Sequence, residues 1–533
     1  MDQTKNEHSV KQNPIVRLFL RHYGNTTCTI SQEQYDREKF LFSKVKFNPW
    51  ILMPAAVIVQ FCVGSVYAWS VFNAPIDDAI SGDIKISQAP VTFYIAFGML
   101  GFTAALMGPW LERNGPKKAL IVSSTAFYIG NLLSALAIYL KYIWLLYFGY
   151  GFIGGFGIGL SYITPVAILQ KWFPHRRGLA AGVGVCGFGA GSIAVGKIIL
   201  PIIRLVGLPL TFVVLGSSFF VAMICSALIF RVPEPNHFTK CVTDDKTDES
   251  ETNATYSSQI KLTLKESLQS VDYFLLYITF FSNILFGLLV ISRFSDMITK
   301  LFGMASNEAS NLVAVNGIFN LFGRLFFSTL SDKIGRKPCF LILLITQMVI
   351  IGTFPYYVEH KIYWVFVLSM IVLSTCYGGG FGVLPAFLND MFGSHNISVC
   401  YGLILTAWSF AAIVGGFVFT TVYNYLVATG SGELSDPHPY IINSYWILGF
   451  VTIGVIATSL VKSDLKDRLL PPFAGQWLRY RLFRNVIVIK RSGCCPQIEI
   501  ISAKTYDEMW EEYCKHRHHS PSTKLDAELT CAI

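Results

Sequence analysis

GPWLERNGPKK (108–118) and STLSDKIGRKP (328–338) decide the fold of this chain, because one is a displaced copy of the other. Adding 220 carries Glu112 onto Asp332, Arg113 onto Lys333, Gly115 onto Gly335 and Lys117 onto Lys337. The same offset carries Gly159 onto Gly379, Pro165 onto Pro385 and Gly182 onto Gly402. A charged reversal occurring once would carry little weight, whereas a constant offset over separate segments marks an internal duplication. Each copy has the chemistry of a tight turn between antiparallel helices. Glycine permits the reversal, basic residues hold the loop on one side of a membrane, and an acid at a helix end can engage the positive N-terminus of a neighbouring helix. Glu112, Arg113, Asp332, Lys333 and Arg336 are therefore candidate latch residues.

What these connections join is apolar. Of 533 residues, 53% are hydrophobic and 14% charged, too few charges for a soluble chain of this size. Segments of spanning length fall near 50–72, 91–110, 119–140, 143–169, 178–203, 209–230, 271–293, 309–330, 339–357, 362–388, 398–424 and 441–461. The chain is thus expected to be an all-α membrane protein, with twelve transmembrane helices in two six-helix halves. The divisions are an N-terminal tail (1–47), a first half (48–230), a polar linker (231–270), a second half (271–464) and a C-terminal tail (465–533). With both termini cytoplasmic, the two tails and the inner connections hold 34 of the 42 Lys and Arg residues, which satisfies the positive-inside rule. The net charge of +9 then reports topology and attraction to anionic lipid, and calls for no nucleic-acid partner. No apolar run precedes Trp50, so the first span is expected to act as its own insertion signal, and the plasma membrane is preferred to an organelle.

The tails are mostly polar and are assigned to regulation or trafficking, with room for an accessory partner. The basic, aromatic stretch from Trp477 to Arg491 is a candidate for the membrane surface, and Cys494 and Cys495 behind it for palmitoylation. The remaining cysteines show no metal spacing and no disulfide framework. The sequons at Asn25, Asn253 and Asn396 fall on the inner side, where glycosylation is not expected. The glycine runs GYGFIGGFGIG (149–159) and GFGAG (187–191) lie within spans and precede no GK[ST], so they are read as helix-packing surfaces, not nucleotide loops. No catalytic set, metal site or cofactor motif emerges, and no enzyme activity is expected.

The paired loops resemble the signature of the major facilitator superfamily. TPVAILQKWFPHRRGLAAGVGVCGFGAGS (164–192), GGGFGVLPAFLNDMFG (378–393), YGLILTAWSFAA (401–412) and GSVYAWSVFNAPI (64–76) resemble its oxalate/formate antiporter and monocarboxylate transporter branch. The likeness covers Trp50 to Val461 apart from the linker. It implies the major facilitator fold, an alternating-access cycle, and an Arg of the eighth span as the ligand of a substrate carboxylate.

Arg324 occupies that position, and its own chemistry points the same way. A cation at bilayer depth costs roughly 2.5–3.5 kcal/mol on insertion scales and normally faces a wet cavity. Asn316, Asn320 and Arg324 recur at i, i+4 and i+8, one polar stripe on an otherwise apolar helix. Guanidinium suits a carboxylate through two parallel hydrogen bonds. Tyr67, Trp69, Tyr162, Tyr377 and Trp408 are candidate cavity aromatics whose polar tips can donate to it. Lys197 either forms an outer entry for anions or extends its amine outward, and Arg293, with Asp296, ends the seventh span as a gate or a second entry cation. Two departures from the branch shape the expected activity. Oxalate-selective members carry Lys where this chain has Trp408. Proton-coupled monocarboxylate members carry Asp where it has Asn320, and a first-span Lys that is absent between Trp50 and Asn73. The expected activity is secondary transport of a small organic anion, a monocarboxylate in the first instance, by exchange or facilitated diffusion. The alternatives are proton-coupled symport, another small solute on the same fold, or a membrane sensor that does not transport.

Overall fold

The computed structural model describes residues 22–23, 40–42, 45–82, 88–233, 264–392, 397–429, 436–462, 466–467, 470–482, 485–492 and 495–519. Among them are twelve helices long and apolar enough to cross a membrane. In the first half these are α1 (Pro49–Ala68), α2 (Ala89–Asn114), α3 (Pro116–Tyr139), α4 (Ile143–Trp172), α5 (Arg177–Val206) and α6 (Leu208–Ala227). In the second they are α7 (Val271–Leu288), α8 (Asn311–Ile334), α9 (Arg336–Glu359), α10 (Tyr363–Phe392), α11 (Ile397–Tyr423) and α12 (His438–Leu460). The sequons, the linker acids between 234 and 251, and Cys494 lie outside the described residues.

The offset of 220 is written into the backbone. α2 ends at Gly115 with φ +80° and α8 ends at Gly335 with φ +94°, a region where a β-carbon is strained. The only non-glycine positive φ values among the described residues are at Lys141 (+54°) and Lys361 (+51°), and 141 plus 220 is 361. These two lysines close the α3–α4 and α9–α10 turns.

The two halves meet along two seams, α5 against α8 and α2 against α11, which the same offset exchanges. A β-carbon at Gly402 would lie 2.1 Å from the Ala104 carbonyl oxygen, and one at Gly182 would lie 2.9 Å from that of Arg324. Here 182 plus 220 is 402, and 104 plus 220 is 324. At the latch end, Asp332 accepts hydrogen bonds from the backbone amides of Gly178 (3.0 Å) and Leu179 (3.3 Å), in the first turn of α5. Glu112 accepts one from Ser398 N (3.3 Å), in the first turn of α11. These amides have no partner within their own helices, and the helix dipole favours an anion at that point. The acids thus bolt each half to a helix start of the other.

Further bonds close this end. Asp390 pairs with Arg177 of the first half (2.8 Å) and with Arg336 of the second (2.9 Å), and Arg336 also pairs with Asp332 (2.7 Å). Asn389 donates to Gln170 across the halves (3.0 Å), and Lys171 pairs with Glu112. Arg113 plays a different part from the one expected of a latch: its guanidinium donates to the His22 carbonyl (2.9 Å), holding the N-terminal segment against α2. Lys333 is exposed at the end of α8 and joins neither seam.

Beyond α12 the chain is more than a polar tail. β3 (Gln476–Leu482), β4 (Asn485–Ser492) and β5 (Cys495–Ile501) form an antiparallel sheet, and the helix α13 (Ala503–His519) packs on it. Its small core joins Leu470, Val486, Val488, Tyr506 and Trp510. The described residues between Trp477 and Arg491 are therefore β-strand, and the buried Arg479 donates to the Asp467 and Leu470 carbonyls (2.8 and 2.9 Å) instead of presenting its charge to lipid. A short pair, β1 (Phe40–Phe42) with β2 (Val45–Lys46), precedes α1.

Candidate functional site

Arg324 is fully buried, and it lies where the α5–α8 seam meets α10. The backbones approach closely there because glycine does: a β-carbon at Gly378 would lie 2.1 Å from the Asn320 carbonyl oxygen, and one at Gly382 2.3 Å from that of Arg324. The guanidinium is fixed on three sides. Its Nε donates to Asn320 Oδ1 (3.0 Å), and its Nη1 donates to the Val185 carbonyl across the seam (2.9 Å). Its plane lies near the Phe381 and Phe188 rings, at 5.0 and 5.6 Å. Nη2 makes no well-aligned hydrogen bond. Its electrostatic neighbours are the hydroxyls of Tyr162, Tyr67, Tyr377 and Tyr401, and no carboxylate among the described residues pairs with it.

An aromatic box encloses this charge. Trp408 packs on Phe381 (4.4 Å), Phe97 (5.0 Å), Tyr162 (5.5 Å) and Phe188 (5.8 Å). Tyr67 packs edge-on against Phe188 (4.9 Å), and its hydroxyl meets that of Tyr377 across the halves at 2.9 Å. Three further buried donors make no well-aligned hydrogen bond, the hydroxyls of Tyr162 and Tyr401 and the indole N–H of Trp408, although Tyr162 lies within reach of Tyr401 and Arg324, and Trp408 within reach of Tyr377. Buried polar groups are nearly always paired. Donors held this loosely around a buried cation are able to turn to an acceptor that enters the box.

The structure thus brings together Arg324, Tyr67, Tyr162, Tyr377 and Trp408. It assigns Asn320 to a supporting part, because Oδ1 holds the guanidinium and Nδ2 donates to the Ser374 carbonyl (3.3 Å). Asn316 is buried on the same stripe two turns away, with Oδ1 unpartnered. Trp69 leaves the group: it packs on Tyr150 (4.3 Å) and Phe72 (5.8 Å) and donates to the Ala89 carbonyl (3.0 Å), inside the first half. Ser65–Ala68 is a 3-10 turn capped by Trp69, and at about three residues per turn it rotates Trp69 roughly 120° away from the face that Tyr67 presents. Lys197 is exposed and donates to Asn311 Oδ1 on α8 (2.8 Å), bridging the halves at the end remote from the latches. Arg293 has neighbours in the second half. It donates to Thr420 Oγ1 (3.2 Å) beside the Tyr423 ring and lines a small gap with Phe286, Phe354 and Tyr440, within the second half; the side chain of Asp296 lies outside the described residues. Phe188, Phe381, Tyr401 and the Val185 carbonyl are site elements that single-residue reasoning passes over, although all four lie inside the stretches 164–192, 378–393 and 401–412.

A family model, that of the Major Facilitator Superfamily, matches residues 56–416 and 275–489. The chain belongs to the major facilitator superfamily. Among its superfamily relatives, the uncharacterised transporter YhjX of Escherichia coli strain K12 is 27% identical over 364 residues, 68% of this chain and 86% of that protein. The oxalate:formate antiporter of Oxalobacter formigenes is 23% identical, over 69% of this chain and 84% of that protein. Monocarboxylate transporter 12 of mouse is 24% identical over 40% of this chain and 45% of its own length. In three dimensions the superfamily member XylE, a proton:xylose symporter, aligns with TM-score 0.58 at 17% identity, covering 76% of this chain and 94% of its own. At that identity the likeness concerns the fold. The superfamily assignment makes this a transport protein of twelve membrane helices, with a small-molecule cargo and lipid surroundings.

Proposed function

We propose that the protein carries small organic monoanions, monocarboxylates in the first instance, by alternating access, with Arg324 as the anion ligand. The observation that carries this reading is a fully buried arginine that no acid among the described residues pairs with, whose Nη2 and whose neighbouring donors on Tyr162, Tyr401 and Trp408 make no well-aligned hydrogen bond. A carboxylate can take Nη2 on one oxygen and the Tyr162, Tyr401 or Trp408 donors on the other, and charge-assisted bonds of this kind are the strong ones. The relatives named for oxalate:formate exchange and for monocarboxylate transport support the substrate class.

The cycle follows from which bonds cross the seams. With the Glu112 and Asp332 latches made, the inner end is closed and the state is outward-facing or occluded; breaking them opens the site inward. We take both termini to be on that inner side, at the plasma membrane. The decisive experiment is a panel of labelled lactate, pyruvate, formate, oxalate and longer acids in proteoliposomes, with and without trans-anion and a pH gradient. Uptake of a monocarboxylate that Arg324→Gln abolishes, at normal expression, supports the reading. Equal uptake by the Gln variant removes the ligand assignment, and binding without uptake would favour a sensor.

A further inference from the structure

The C-terminal sheet has two faces, and strand register assigns each residue to one of them, since directly opposed residues of antiparallel strands share a face. Arg479 opposes Val488, which opposes Glu499, and this face carries the packing of α13. On the other face Tyr480 opposes Ile487, which opposes Ile500, while Ile489 opposes Ile498. Arg491, two residues beyond Ile489, follows on the same face and is exposed.

This second face meets the transmembrane bundle along β3. Lys337, in the first turn of α9, lies 4.4 Å from the Tyr480 ring centroid and donates to the Ser459 and Val461 carbonyls at the end of α12 (2.7 and 2.8 Å). β5 is two strands further out, only about 10 Å away at the usual strand spacing. A face whose β3 side rests on helix ends therefore turns its β5 side toward the bilayer surface beside them. There Ile498 and Ile500 are each 65% exposed. Among the described residues, the other large apolar side chains that are exposed lie in or beside the membrane spans, where the surrounding medium is lipid.

We propose that this face of the C-terminal sheet, through Ile498 and Ile500, rests on the lipid interface at the latch end of the bundle. The apolar side chains enter the headgroup boundary, and Arg491 on the same face suits anionic headgroups. The module is then a membrane-bound platform that holds Lys337, and with it the 328–338 connection, from below.

The test uses the full chain in vesicles of phosphatidylcholine and phosphatidylserine, with Ile498→p-benzoylphenylalanine, photolysis and intact-mass readout. A lipid adduct comparable to that of Leu136→p-benzoylphenylalanine on the exposed flank of α3, and several-fold above that of Glu508→p-benzoylphenylalanine on α13, supports the proposal. Ile500 replaced in the same way guards against a local defect at 498. Adducts at both 498 and 500 no greater than at 508, or cross-links there to a second copy of the chain, would overturn it.

Discussion

At the scale of single residues, the site is a charge whose partners are mostly backbone and aromatic. Arg324 spends Nε on Asn320 and Nη1 on Val185, so its charge is held but not neutralised. Lys offers one ammonium where guanidinium offers three fixed nitrogens, so Arg324→Lys should fail as Arg324→Gln does. Tyr162 makes a finer test. Its hydroxyl makes only poorly aligned contacts with Arg324 and Tyr401, so Tyr162→Phe should cost the fold little. A hydrogen bond to a charged group contributes about 1.5–3 kcal/mol, so the variant should raise KM for a carboxylate by roughly ten- to a hundredfold. Trp69→Phe is the complementary case. It removes the bond to Ala89 O and should lower stability by about 1 kcal/mol, visible as a lower Tm, with KM unchanged. A shift of KM by Trp69→Phe, or none by Tyr162→Phe, would reverse this division of labour.

At the scale of elements, the seams set what each helix can tolerate. A β-carbon at Gly402 would meet the Ala104 carbonyl at 2.1 Å, and a backbone atom cannot step aside as a side chain can. Gly402→Ala should therefore hold α11 off α2, weaken closure at the latch end and increase labelling of the central site from the inner side, with transport falling even though Arg324 is intact. Unchanged inner accessibility would show that the seam is not the closing surface. Much of this was legible beforehand. The offset carried Gly182 onto Gly402 and Glu112 onto Asp332, and the expected pairing of acid with helix start is what Ser398 N and Gly178 N provide. What stayed hidden was lateral. Nothing in the spacing of Asp390 says that it will hold Arg177 and Arg336 at once, since the three come together only when α5, α9 and α10 pack. Trp69 was misplaced for a related reason: composition and motif put it near Tyr67, and only helical phase puts it on another face. The C-terminal sheet escaped notice because its polar residues dilute five buried side chains that form a core only once the strands pair.

At the scale of the whole molecule, charge decides how the halves can move. No carboxylate among the described residues pairs with Arg324, so on the proposed cycle the halves would have to close around an uncompensated cation whenever the site is empty. Burying an unpaired charge is strongly unfavourable, whereas a bound monoanion makes the site neutral. Reorientation should therefore be faster loaded than empty, which is the kinetic signature of exchange. Two consequences follow together. Uptake of a labelled monocarboxylate should rise at least several-fold when the vesicle interior holds an unlabelled one, and an imposed pH gradient should change it little. A dianion of similar size should be carried poorly, because it would leave the occluded site with one net negative charge, and Trp408 stands where the resemblance to oxalate-selective carriers implies a second cation. Flux that ignores trans-anion but accelerates with an inward proton gradient would mean that a proton crosses with the substrate. The charge balance at Arg324 would then be completed by a group other than those that line the box.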